Sequence, residues 1–118
     1  MDYTARMYQT IAELPAFLSA AQSLLSADEH RELIDYLAQQ PKSGVLIKGT
    51  GGVRKLRWGK GNRGKSAGVR VIYYFYDERI PLYLLTVFGK NDRANLTQAE
   101  CNGLKSLVDQ LVSTALGE

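Results

Sequence analysis

At 118 residues the chain is long enough for one domain with its own core and too short for two ordinary ones, so residues 1–118 are read as a single domain. A composition 45% hydrophobic and 23% charged excludes a disordered chain, and a single cysteine, Cys101, excludes an internal disulfide framework. The formal charge of +3 hides an asymmetry: eight of the fifteen Lys and Arg residues fall between Lys48 and Arg70, where no Asp or Glu occurs, against seven basic and twelve acidic groups elsewhere.

In chain order, residues 6–12 alternate in β-compatible types and predict a first strand. Pro15 suits a first helical turn, and Phe17, Leu18, Ala21, Leu24 and Leu25 recur at helical spacing, which predicts a helix over 15–25. Ser26 followed by Glu29 is a capping box that opens a second helix over 27–40, with Leu33, Ile34 and Leu37 on one face and Pro41 as its stop. From Gly44 the period changes. Val45, Leu46 and Ile47 lead through Gly49, Gly51 and Gly52 into a strand over 53–58, on which Lys55 and Arg57 share one face and Leu56 and Trp58 the other.

Residues 59–68 carry four glycines among basic residues and read as a hairpin loop. A strand over 69–76, a turn over 77–81 and a continuously apolar strand over 82–88, expected to be central, complete an antiparallel meander. Thr97 and Glu100 form a second capping box, before an amphipathic helix carrying Leu104, Leu107, Val108 and Leu111. The apolar runs are too short to span a membrane, so no membrane partner is expected. With a lone thiol and no signal sequence, the expected compartment is the cytoplasm. The order predicts an α+β domain: a small antiparallel sheet packed against an N-terminal helical hairpin and a C-terminal helix, with one sheet face left uncovered for function.

The chemistry concentrates in the segment from Lys48 to Tyr76. A basic pair on a strand is ordinarily a solvated face. Here the charges of Lys55, Arg57 and Arg70 have one sign, acids are absent, and a glycine-rich loop that lets a ligand approach backbone sits between them. That footprint points to a phosphate or nucleic-acid ligand. Arg70 and Arg57 offer planar guanidinium groups suited to clamping a phosphate, and Lys55 is the candidate base or proton shuttle. Lys48, Arg54, Lys60, Arg63 and Lys65 are candidate backbone contacts, and Tyr73 is a candidate to stack on a base. The GTGGV run lacks the Gly-Lys-Ser/Thr ending of a P-loop and precedes a strand, so it is not a nucleotide loop. His30 reads as an exposed residue of a helix start and Cys101 as a small buried one. No metal or other cofactor is expected, because one His and one Cys show no ligand spacing.

The runs GTGGVRKLRW, GKSAGVRVIYYF and YLLTVFGKNDRANLT resemble the RelE/ParE superfamily of toxins from bacterial type II toxin–antitoxin pairs, and most of all its HigB-like RelE branch. The resemblance covers about residues 44–97. It implies a RelE-like microbial ribonuclease fold and a metal-independent endoribonuclease that enters the ribosomal A site, cuts mRNA during translation and is held inactive by a cognate antitoxin. Carried over residue by residue, the family's basic strand positions fall on Lys55 and Arg57, and the arginine that opens the next strand on Arg70. Lys90 matches the lysine that ends the last sheet strand, and the family's following basic position falls near Asn91 or Arg93. The late tyrosine of some RelE-like toxins has no counterpart after Tyr83. A ParE-like inhibitor of DNA gyrase and a non-cleaving RNA-binding module are the alternatives within this resemblance.

Overall fold

The computed structural model describes residues 8–59, 68–89 and 95–117. Their order is β1 (Ile11–Glu13), α1 (Pro15–Leu24), α2 (Ala27–Gln39), β2 (Val45–Leu46), β3 (Val53–Trp58), β4 (Val69–Tyr74), β5 (Leu82–Gly89) and α3 (Gln98–Leu116). Five strands form one sheet in the order β1-β5-β4-β3-β2. Strands β3 to β5 form the antiparallel meander that the sequence predicts, and β2, which the sequence reading did not contain, adds antiparallel to β3. The first strand departs from expectation: it starts at Ile11, and it lies parallel to β5, so the sheet is mixed. Residues 6 and 7 of the expected strand lie outside the described residues. Its neighbour β5, expected to be central, is flanked by β1 and β4.

Both helix starts predicted from capping boxes are formed. The Ser26 hydroxyl accepts from Glu29 N–H at 3.1 Å while the Glu29 carboxylate accepts from Ser26 N–H at 2.8 Å, and Thr97 and Glu100 repeat the arrangement. Each box satisfies two backbone donors that a helix start otherwise leaves open.

The expectation that helices cover one face of the sheet is corrected. Phe17 and Ala21 of α1 and Leu33 and Leu37 of α2 pack on Val69, Val71, Tyr73, Leu82, Leu84 and Val87. On the opposite face, Val108 of α3 packs with Val53, Ile72, Tyr74, Leu85 and Phe88. Both strand parities are apolar over most of β4 and β5, and burying both requires a layer on each side. The part of the sheet surface left open on that side is therefore what α3 does not cover. A bulge lets the two cores share β5: Ile72 pairs with Thr86 and Tyr73 with Leu84, so Leu85 is the extra residue.

His30, expected to be exposed, is only partly so. Its Nε2 meets the Glu13 carboxylate and its ring stands edge-on to Phe17 at 5.6 Å, which ties α2 to β1 and α1. Cys101 is buried, as expected for a small apolar residue.

The approach to β3 is a turn with three glycines at positive φ: Gly49 (81°), Gly51 (76°) and Gly52 (118°). Thr50, the one buried polar residue among those described, pins it. Its hydroxyl donates to the Ile47 carbonyl at 2.7 Å and accepts from Val53 N–H at 3.0 Å. Thr50→Val keeps the shape and strands both backbone groups, so unfolding in denaturant is expected to show a loss of roughly 1–3 kcal/mol. An unchanged midpoint would remove Thr50 from this role.

Candidate nucleic-acid interface

Alternation along β3 and β4 sorts the basic residues. Lys55 and Arg57 share parity with Val53, and Arg70 with Ile72 and Tyr74, so all three leave the sheet on the face that α3 covers in part. Arg57 and Arg70 are direct partners in the β3–β4 ladder. Residues so placed have Cβ atoms roughly 5 Å apart, and like charges there repel. On its other side Arg70 pairs with Phe88, a buried aromatic wall.

Arg57 is exposed, whereas Lys55 and Arg70 are half-buried. The Nη1 atom of Arg70 is buried with no hydrogen-bond partner among the described residues. A buried donor left open costs about 1–3 kcal/mol, more when charged. None of Lys55, Arg57 and Arg70 forms an ion pair with a described acid; the pairs there join His30 to Glu13, Arg31 to Asp28 and Arg79 to Asp77. Among the described residues, this end of the sheet is thus a cluster of cations with no acid paired to it, where an anion would relieve the repulsion.

The remaining sequence candidates divide. Lys48 is exposed in the turn before β3. Arg54 has the opposite parity, and its Nη1 donates to the carbonyls of Gly44 (2.8 Å) and Lys42 (3.2 Å). Through Nη1, Arg54 thus holds the turn after α2 on the sheet face opposite to Lys55, Arg57 and Arg70. The reading of Tyr73 as a base-stacking residue is corrected. Tyr73 is fully buried, its hydroxyl accepts from Gly44 N–H at 2.8 Å and donates to the Pro41 carbonyl at 2.9 Å. The signal was present in the sequence, since counting from Arg70 places Tyr73 on the other face. Lys60, Arg63, Lys65, Lys90, Asn91 and Arg93 lie outside the described residues.

A five-stranded mixed sheet with helices on both faces is an α+β architecture. The structure is similar to that of a double arginine-to-alanine mutant of E. coli toxin RelE in the free state, with a TM-score of 0.55 and 14% identity over 85% of this chain and 96% of that chain. The sequence model of the RelE toxin of the RelE/RelB toxin–antitoxin system matches residues 31–116. The chain belongs to this RelE toxin family, and it is the toxin member of a toxin–antitoxin pair. No helix among the described residues is long and apolar enough to cross a membrane.

Proposed function

We propose that the protein is a ribosome-dependent mRNA endoribonuclease of the HigB-like branch, acting in the cytoplasm and neutralised by a cognate antitoxin. The observation that supports this most is Arg70, whose buried Nη1 has no described partner and whose ladder partner is Arg57. Two guanidinium groups at that spacing suit one phosphodiester better than they suit each other.

Cleavage without a metal proceeds by attack of a ribose 2′-oxygen on the adjacent phosphorus. The 2′-OH gives up its proton, the phosphorane gathers negative charge, and the 5′-oxygen leaves with a proton, so a cyclic phosphate and a 5′-hydroxyl result. Arg57 and Arg70 hold the non-bridging oxygens as their charge grows. Lys55, on the same face one alternation from Arg57, takes the 2′-OH proton in its neutral amine form and passes it on toward the leaving oxygen. Lys90 joins this group in the proposal. A site with no histidine is a modest proton-transfer apparatus, and the ribosome's hold on its mRNA supplies much of the positioning.

Mapping mRNA 5′ ends after induction tests the proposal in cells. Cuts phased with codons are expected. Intact mRNA accompanied by DNA damage would instead identify a gyrase inhibitor.

A further inference from the structure

The helix that covers part of the cationic face also adds a charge to it. Lys105 of α3 is exposed, and its Cγ lies 3.4 Å from where a Cβ on Gly51 would stand. Gly51 has φ +76 and no side chain, so the Lys105 stem rests directly on the turn that carries Lys48. Val108, three residues on, packs in the same core as Val53, which fixes this stretch of α3 over the start of β3. Lys105 forms no ion pair with a described acid, although Asp109 follows one turn later. The charge of Asp109 is felt by Tyr74, whose phenol it helps to raise.

Lys48 and the stem of Lys105 thus lie at the turn before β3, and Lys55 and Arg57 follow along the strand. The strand from Val53 to Arg57 is about 14 Å long at ~3.4 Å per residue, and Lys105 lies beyond its near end. That distance is too great for contact with a phosphate held between Arg57 and Arg70.

We propose that Lys105 contacts the phosphate backbone of RNA at a nucleotide neighbouring the cleaved one, so that α3 forms one wall of the RNA track. This rests on the endoribonuclease reading. The ligand chemistry is an RNA phosphodiester, supplied either by the messenger or by ribosomal RNA. A backbone contact of this kind adds affinity without sequence preference and does not enter the chemical step.

The test uses the full chain and four variants, with Arg57→Ala as the positive control for loss of a phosphate contact. Lys105→Met keeps the apolar stem on Gly51 and removes the charge, Lys105→Arg keeps the charge, and Lys42→Ala removes a lysine of the loop after α2, whose carbonyl Arg54 holds from the other sheet face. Binding is read by fluorescence anisotropy of a labelled single-stranded RNA, and separately by association with ribosomes that hold no mRNA, each over a range of KCl. For Lys105→Met the expected result is binding weakened several-fold, with the slope of log affinity against log salt reduced by about 0.7 on single-stranded RNA. Lys105→Arg and Lys42→Ala should behave as the parent. A loss confined to the free RNA assigns the contact to the messenger, and a loss confined to the ribosomes assigns it to ribosomal RNA. If Arg57→Ala lowers the slope and Lys105→Met changes neither measurement, the contact is refuted while the endoribonuclease reading stands. If the parent itself shows no salt-dependent binding to either, both are overturned.

Discussion

Arg70→Ala is expected to lower cleavage of ribosome-bound mRNA by roughly 10²–10³-fold, the usual cost of removing one preorganised charge donor from a developing oxyanion. The fold should survive. Arg70 makes no ion pair with a described acid, its Nη1 has no described hydrogen-bond partner, and it sits beside Arg57 in the ladder, so its removal relieves repulsion and an open donor. The variant should therefore unfold at the same denaturant concentration as the parent or at a slightly higher one. Single-turnover cleavage on stalled ribosomes gives the first number and equilibrium unfolding the second. Arg70→Lys keeps a charge but loses the planar fork, and is expected to fall between the two. Full cleavage by Arg70→Ala would remove the residue from the mechanism. Loss of cleavage together with loss of the fold would make Arg70 a structural residue.

Tyr73 carries the largest expected effect on stability. Tyr73→Ala empties a fully buried aromatic site in the core beneath α1 and α2 and should cost about 3–5 kcal/mol. Tyr73→Phe keeps the ring and deletes the hydroxyl, which strands Gly44 N–H and the Pro41 carbonyl, and should cost roughly 1–3 kcal/mol. Gly44 has no room to adjust: a Cβ there would stand 2.8 Å from the Tyr73 ring and 3.0 Å from the Lys55 carbonyl oxygen.

Tyr73 also sets an alkaline limit. Burial raises its phenol above the ordinary value of 10.0, against the opposing pull of the Gly44 hydrogen bond, and burial raises Tyr74 likewise. The unfolded chain then gives up these protons at a lower pH than the folded one. Their stabilising effect is complete below pH 10 and is lost as pH climbs through the raised values. Denaturant titrations of Tyr73→Phe across that range should show a shallower alkaline decline. RNA binding by Tyr73→Leu, which removes the ring, should match the parent under conditions where both are folded; weaker binding by the folded variant would restore the stacking role.

Much of this was readable from residue types. The capping boxes at Ser26 and Thr97 gave helix starts because their chemistry is local, and the limits of β3 followed from the glycines before and after it. Parity alone grouped Lys55 with Arg57, and charge counting grouped both with Arg70. What stayed hidden was which sheet face each helix takes. The apolar stripe of α3 shows that it must be buried, yet nothing in its spacing says that it packs over Val53 rather than beside α1. The same gap concealed Lys105, whose helix is remote in sequence from the turn it rests on. The bonds of Arg54 were hidden for a different reason. In sequence it is one cation among eight, and only the folded turn shows its Nη1 donating to the carbonyls of Lys42 and Gly44. Strand β2, at two residues, is too short to carry a period.

The central claim is that the cationic end of β3 and β4 cuts mRNA on the ribosome. Its most direct test is translation of a defined mRNA in a purified system with the protein added, run with and without ribosomes and read by primer extension. Cuts are predicted only where ribosomes translate, and they should vanish with Arg70→Ala. Naked mRNA cut equally well would contradict the ribosome dependence, and no cut in either sample would contradict the endoribonuclease itself.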